Sequence, residues 1–225
     1  MKKEGITIHR IIWYTLLFSV LGLIIETIYC FATTGILESR KGLILGPFCP
    51  IYGVGASVLI ILLNNYSNSK VRLFCLGAIY GTIFEYVCSY VMQVMYGSRF
   101  WDYSYTNFQI NGRISLTYTV FWGILSVILI GYLKGFLDKW IEKIPGKMVD
   151  KVIVLFVGID VFVTILGISV YMDRAKSIYE KREHENTFLD YVFNDSIMSF
   201  TFPNLRYMDS EGREIFVKDI IDIEK

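Results

Sequence analysis

Five stretches of the chain stay apolar through every turn: residues 11–32, 43–63, 71–96, 114–133 and 152–172. A helix in a soluble bundle shows a polar residue once per turn on its wet side, and these stretches do not. Each reaches the roughly 20 residues that a helix needs to cross the hydrocarbon core of a bilayer. The pattern predicts an all-α fold, a polytopic membrane helical bundle of about five transmembrane helices.

Between the fourth and fifth stretches the periodicity changes. Phe136, Leu137, Trp140, Ile141 and Ile144 recur at helical spacing, with Lys134, Asp138, Lys139, Glu142 and Lys143 on the remaining arc. This predicts a short amphipathic helix on the membrane surface, ended by Pro145-Gly146. After the fifth stretch come charged helix-formers over residues 173–185. Further on, Asp209-Ser210-Glu211-Gly212 separates Leu205-Arg206-Tyr207-Met208 from Glu214-Ile215-Phe216-Val217, an acidic turn between β-prone runs that predicts a small hairpin. The expected organisation is a four-span membrane unit over residues 1–135, the surface helix and fifth span over 136–172, and a polar extension over 173–225, too short for a large core of its own.

The first four spans contain a repeat. Shifted by 59 positions, Gly22-Leu23-Ile24-Ile25-Glu26 falls on Gly81-Thr82-Ile83-Phe84-Glu85, and Ser39-Arg40 falls on Ser98-Arg99. Two spans separate the copies, so both have one orientation, as in parallel repeats of transporters. Gly, Glu, Ser and Arg, the residues least suited to lipid, are the ones in register.

Composition agrees with membrane insertion: 54% of residues are hydrophobic, and the 19% that are charged crowd between the apolar runs. A net charge of +1 without a dense basic tract argues against nucleic acid as a partner, and the lipid bilayer is the expected surrounding. Cys30, Cys49, Cys75 and Cys88 have no C-x-x-C spacing and read as free core cysteines. Lys2 and Lys3 precede an apolar run that is long and contains Glu26, which fits a retained span better than a cleaved signal. With the N-terminus cytoplasmic, the inner flanks hold Lys2, Lys3, Arg10, Lys70, Arg72, Lys134, Lys139, Lys143, Lys147 and Lys151, against Arg40, Lys41, Arg99 and Arg113 in the outer loops. Positive residues accumulate inside, so N-terminus in is expected and five spans place the C-terminus outside, although Arg174, Lys176, Lys181 and Arg182 then fall outside too.

A carboxylate at the centre of a membrane helix costs about 2.5–3.5 kcal/mol on insertion scales, which makes Glu26 and Glu85 the first functional candidates. Gly22 precedes Glu26 by four residues, and Gly77 and Gly81 precede Glu85 by eight and four, so small residues and acid share one helix stripe. The expectation is that the two glutamates meet across a tight contact of the first and third spans, in the outer half, below Arg40, Arg99 and Arg113. Two roles stay open, a pair of Glu–Arg ion pairs that only lock the bundle and a polar cavity for substrate or ion. Asp160 in the fifth span is a weaker candidate.

Two loops join this cluster. Residues 42–55 carry Gly42, Gly46, Pro47, Pro50, Gly53 and Gly55 around Tyr52, which predicts non-helical backbone before the second span, covered by protein or lining a cavity; the alternative places Pro47 and Pro50 in the loop and first turn. In the other loop Trp101, Asp102, Asn111 and Arg113 supply aromatic, charged and hydrogen-bonding groups for a lid or binding mouth. His9 and His184 lack metal-ligand spacing, and no metal or cofactor is expected. Pro145-Gly146-Lys147-Met148 lacks the first Gly and the final Ser or Thr of a phosphate loop, and neither a catalytic nor an ATPase motif is recognisable.

Gly22 and Glu26, Gly42, Gly46-Pro47, Cys49-Pro50-Ile51-Tyr52-Gly53, Gly55, Glu85-Tyr86, Trp101-Asp102-Tyr103-Ser104, Asn107-Phe108 and Asn111-Gly112-Arg113 resemble a bacterial membrane family labelled putative ABC-transporter permease, of the CmpB type. The resemblance covers roughly residues 11–135 and departs at Leu23, where Trp is expected. It implies a transport function in the cell membrane. A permease of this size would need a separate nucleotide-binding subunit, with the surface helix as docking site, and a second copy to form a homodimer. The alternatives are an intramembrane enzyme or sensor acting on a lipid or envelope precursor, and a purely structural membrane protein.

Overall fold

The computed structural model describes residues 5–96 and 99–223. Lys2, Lys3 and Ser98 lie outside the described residues. Helix α1 (Ile8–Thr34) begins at Thr7, whose side chain accepts from the Arg10 amide, and ends at Gly35 in the left-handed conformation. Helix α2 spans Pro50–Leu63 and continues as a 3-10 turn over Asn64–Tyr66; α3 is Lys70–Tyr96. A short hairpin follows, β1 (Gln109–Ile110) with β2 (Ile114–Ser115), then α4 (Leu116–Ile128). A π-helical turn over Leu129–Leu133 joins α4 to α5 (Lys134–Ile141), and α6 is Lys147–Tyr179. The rest of the chain folds as α7 (Phe188–Val192), α8 (Asp195–Thr201), the hairpin of β3 (Arg206–Met208) and β4 (Glu214–Phe216), and α9 (Val217–Asp222).

Four helices among the described residues are long and apolar enough to cross a membrane: Ile8–Thr34, Lys70–Met95, Leu116–Ile141 and Lys147–Tyr179. Their outer faces carry the belt that lipid would cover, including Ile25, Ile28, Val87, Val94, Leu155 and Phe162. The protein is thus an all-α membrane bundle. The second expected span is corrected: residues 43–49 are not helical, and α2 starts only at Pro50, which takes the first helical turn where its missing N–H is no loss.

The loop before α2 survives at membrane depth because α6 covers it. Asp160 of α6, fully buried, accepts from the backbone N–H groups of Leu45 (2.8 Å) and Gly46 (3.0 Å), and Thr164 one turn on accepts from Ile44 N–H (3.0 Å). The weaker acid candidate of the sequence therefore has a defined task. It supplies the acceptors that a non-helical segment needs inside a bilayer.

The amphipathic segment is also corrected. α5 is not a separate surface helix but runs on from α4 through the π turn, and it packs on the first turns of α1. Ile141 is fully buried in the same core as Tyr14, Leu63 and Leu73. Asp138 accepts from Tyr14, and Lys134 pairs with Asp138 at 2.7 Å. Arg10 pairs with Glu142, while Asp150 at the start of α6 bonds His9 (2.8 Å) and Trp13 (3.1 Å).

The C-terminal hairpin forms where the sequence predicts it, with Arg206 opposite Phe216 and Met208 opposite Glu214. Its unit has more core than expected because α6 lends it one. Ile168, Tyr171 and Ala175 of α6 bury against Phe193, Met198, Phe202, Leu205, Val217, Ile220 and Ile221. Arg174 ties the same layer by bonding Asp190 (2.8 Å) and Asp195.

Candidate functional site

Helix α1 pairs with α2 and α3 with α4, and each pair builds its own carboxylate site. In the second pair Gly81 makes room for Trp122 of α4, whose ring occupies the space a Cβ would take. The indole N–H then reaches Glu85 one turn further along α3 (3.1 Å), and the Tyr103 hydroxyl donates to the other oxygen of the same carboxylate (2.8 Å). Glu85 is 5% exposed. In the first pair Gly22 makes the same room for Tyr52 of α2, and the Tyr52 side chain lies beside Glu26 one turn further along α1.

The correspondence extends along both helices. Gly53 follows Tyr52 and closes on the Thr15 carbonyl; Gly123 follows Trp122 and closes on the Phe74 carbonyl, and Phe74 stands 59 positions after Thr15. One turn beyond each glutamate the stripe continues with Cys30 and Ser89, again 59 apart. Each receives an arginine from the following loop: Arg40 donates to Cys30 Sγ (2.6 Å) and Arg113 to Ser89 Oγ (3.1 Å). Arg113 also donates to Gln93, the counterpart of Thr34. The structural partner of Arg40 is therefore Arg113 rather than Arg99, which the sequence alignment had placed in register.

The glutamates do not meet across α1 and α3. Glu85 is bonded by Trp122 of α4 and by Tyr103, whose ring stacks on Tyr118 at 4.6 Å, while Glu26 lies beside Tyr52 of α2. Among the described residues neither Glu26 nor Glu85 forms an ion pair, although Arg40 lies near Glu26 and pairs with Glu38 at 3.5 Å.

The other loop candidates divide by task. Asn111 and Gly112 take positive φ in the turn of β1 and β2, where Ile110 O accepts from Arg113 N (3.0 Å). The turn is braced by Trp101 Nε1 on Arg113 O (3.0 Å) and by Arg99 on Asn111 O (2.9 Å). Arg113 faces the rings of Tyr86 and Tyr90 at 5.7 and 5.6 Å. Asp102 receives Ser104 N–H (3.0 Å) and Oγ–H (2.7 Å). Burial opposes its ionisation, but these bonds, with Arg99 and Arg206 nearby, outweigh that and hold its carboxyl below the usual range. Gly46 and Pro47 shape the covered loop, with Gly46 backed by the Phe48 ring. Tyr103, Trp122, Tyr118 and Ser89 were not foreseen. The available signal was Trp122-Gly123, which repeats Tyr52-Gly53 at a shift of 70 rather than 59.

A bundle with an apolar exterior and two like-oriented helix pairs, one carrying the half-buried Glu26 and the other the buried Glu85, defines a polytopic helical membrane protein. The family described as Putative ABC-transporter type IV matches residues 13–166, both helix pairs and the lower part of α6. The chain belongs to that family, whose name suggests a component of an ABC transporter. No curated protein and no solved structure matches it.

Proposed function

We propose that the chain is the permease subunit of an ABC-type transport system in the cell membrane, with Glu26 and Glu85 as the polar element of its route. The observation that supports this is the pair of quasi-equivalent glutamates: Glu85 is held by the neutral Tyr103 and Trp122 donors, Glu26 lies beside Tyr52, and neither forms an ion pair among the described residues. A helix pair needing only a lock would be served better by a bidentate arginine, because an acid without a counter-charge in hydrocarbon is costly. Arg40 and Arg113 sit one turn beyond, where they hold the helix ends at the mouth of each site.

Energy for transport would come from a separate nucleotide-binding subunit. The favoured contact is the end of the bundle where α1 and α6 begin, the end whose Lys and Arg excess favours a cytoplasmic side. Trp140 is exposed there beside Lys139 and Lys143. A second copy would widen a pathway that one short and four long helices leave narrow.

The test is purification of the tagged chain in mild detergent. The expected result is a nucleotide-binding subunit co-purifying with ATP hydrolysis that Lys139→Glu with Lys143→Glu removes. Glu26→Gln with Glu85→Gln should keep the subunit and lose transport-linked stimulation. Repeated recovery of the chain without any such subunit would defeat the reading.

A further inference from the structure

The unit formed by residues 180–223 touches the loop ends of both repeats, and ion pairs cross the seam. Glu214 of β4 pairs with Arg99 after α3, and Arg206 of β3 pairs with Glu214 (3.1 Å) and reaches Asp102 (3.8 Å). On the other repeat Lys218 of α9 reaches Glu38 (3.9 Å), the residue that pairs with Arg40. Apolar contact at this seam comes from Ile44 and Phe100, which pack against the C-terminal core, Phe100 meeting Phe202 edge-on at 6.4 Å, while Gln93 Nε2 approaches Met208 Sδ at 3.3 Å.

That last contact gives the seam its meaning. Glu85, Ser89 and Gln93 succeed one another at four-residue intervals on one face of α3, and the stripe ends under Met208 of the hairpin. The stripe that begins at Glu85 is thus covered at its Gln93 end by Met208 of β3. The C-terminal unit is itself firmly built, on a core shared with the end of α6. It joins the helix pairs through ion pairs that are partly exposed: the Arg99 and Arg206 side chains are 18% and 27% exposed. A rigid body attached through a polar seam is the arrangement that opens as a unit while both sides stay folded.

We propose that the C-terminal unit is a latched cap over the two carboxylate sites, held shut by the Arg99–Glu214–Arg206–Asp102 cluster and by Glu38–Lys218. Release of the latch exposes the stripe from Ser89 to Glu85 to water without unfolding either part. The consequence for transport rests on Glu26 and Glu85 being the working sites; the opening itself does not.

The experiment uses the full chain with its four cysteines changed to Ser and Ser89→Cys introduced, a change that places at position 89 the residue found at its counterpart, Cys30. A water-soluble maleimide reports how often this buried position opens. Arg99→Glu and Glu214→Arg are each expected to speed labelling about tenfold, the factor associated with loss of one charge-assisted bond in an opening equilibrium. The double variant restores the Arg99–Glu214 pair in reverse and should recover part of the parental rate, the remainder staying lost because Arg206 then faces an arginine. If the reversals disturb folding, the single variants Arg99→Gln and Glu214→Gln take their place, each expected to speed labelling in the same direction. Parental labelling rates in folded single variants, or a double variant as fast as the singles, would overturn the cap. Faster labelling with unchanged transport would leave the cap standing and remove the transport role of the sites.

Discussion

Trp122 lies against Gly81 and, from that position, donates its indole N–H to Glu85 at 3.1 Å. The glycine and the acid are one helical turn apart, so the same close approach that packs α4 on α3 also brings a donor to a carboxylate that lipid could not satisfy. Tyr52 packs on Gly22 in the same way and lies beside Glu26. Packing and polar satisfaction are coupled in each pair, and each can be disturbed separately.

Gly81→Ala and Gly22→Ala place a methyl group inside an aromatic ring, and the ring cannot retreat without leaving its glutamate. Overpacking costs about 1–3 kcal/mol, and the lost bond adds to it. Melting in detergent should fall clearly for both. Gly158→Ala, on α6 with open space around it, should be neutral or stabilising by roughly 0.5–1 kcal/mol. Equal melting of all three variants would show that the rings do not rest on these glycines.

Glu85→Gln keeps the shape of the side chain but gives it an amide NH2 facing either Trp122 Nε1, which can only donate, or Tyr103, which would have to turn its hydroxyl. One buried donor loses its acceptor, at a cost of about 1–3 kcal/mol. Glu26→Gln should cost less, since Glu26 is only half-buried and the Tyr52 hydroxyl beside it can either donate or accept. Unfolding of the two single variants measures the difference, and a larger loss for Glu26→Gln would contradict this geometry.

Asp160→Ala should loosen residues 44–46 specifically. Two backbone N–H groups lose their acceptor in a place that water reaches poorly, at about 1–3 kcal/mol for a buried unsatisfied group. Hydrogen exchange at Leu45 and Gly46 is expected to rise steeply while the α3 and α4 amides hold. Asp160→Asn retains one oxygen and should fall between. Exchange at Leu45 as slow as in the parent would mean that another group takes over.

The helices and the acid of each site were legible because hydrophobic runs and the spacing of Gly22, Glu26, Gly81 and Glu85 are local properties. The partners were not. Tyr52 and Trp122 stand 70 positions apart while their glutamates stand 59 apart, so the longer second loop throws the second helices out of any single register. Small residues on α1 and α3 announced a close approach without saying that α2 and α4 would make it. Asn111-Gly112 carries a hairpin signature, but the strands beside it are two residues each, too short to show alternation. The C-terminal core escaped notice because half of it, Ile168, Tyr171 and Ala175, belongs to an apolar run that reads as a span.

Acid should release the C-terminal unit before the bundle. Burial favours the neutral form of Asp190, but bonds from the Thr187 side chain and backbone, His184 and Arg174 outweigh it and hold the carboxyl well below its usual range. Asp209, also opposed by burial, is lowered to about 2 by Arg213, Tyr179 and the Glu211 backbone. Folding lowers both values, so their stabilisation is complete above the ordinary carboxylate pKa near 4 and is lost as pH falls through the folded values. Exchange of the Glu211 and Arg213 amides, which donate to Asp209 (2.9 Å each), should therefore accelerate beyond its intrinsic pH dependence between about pH 4 and pH 2. Asp209→Asn should exchange faster at neutral pH and lose most of that acid response. The test is sharp because these amides answer to one carboxylate: an unchanged acid response in Asp209→Asn would assign the release to Asp190 and the layer around Arg174 instead.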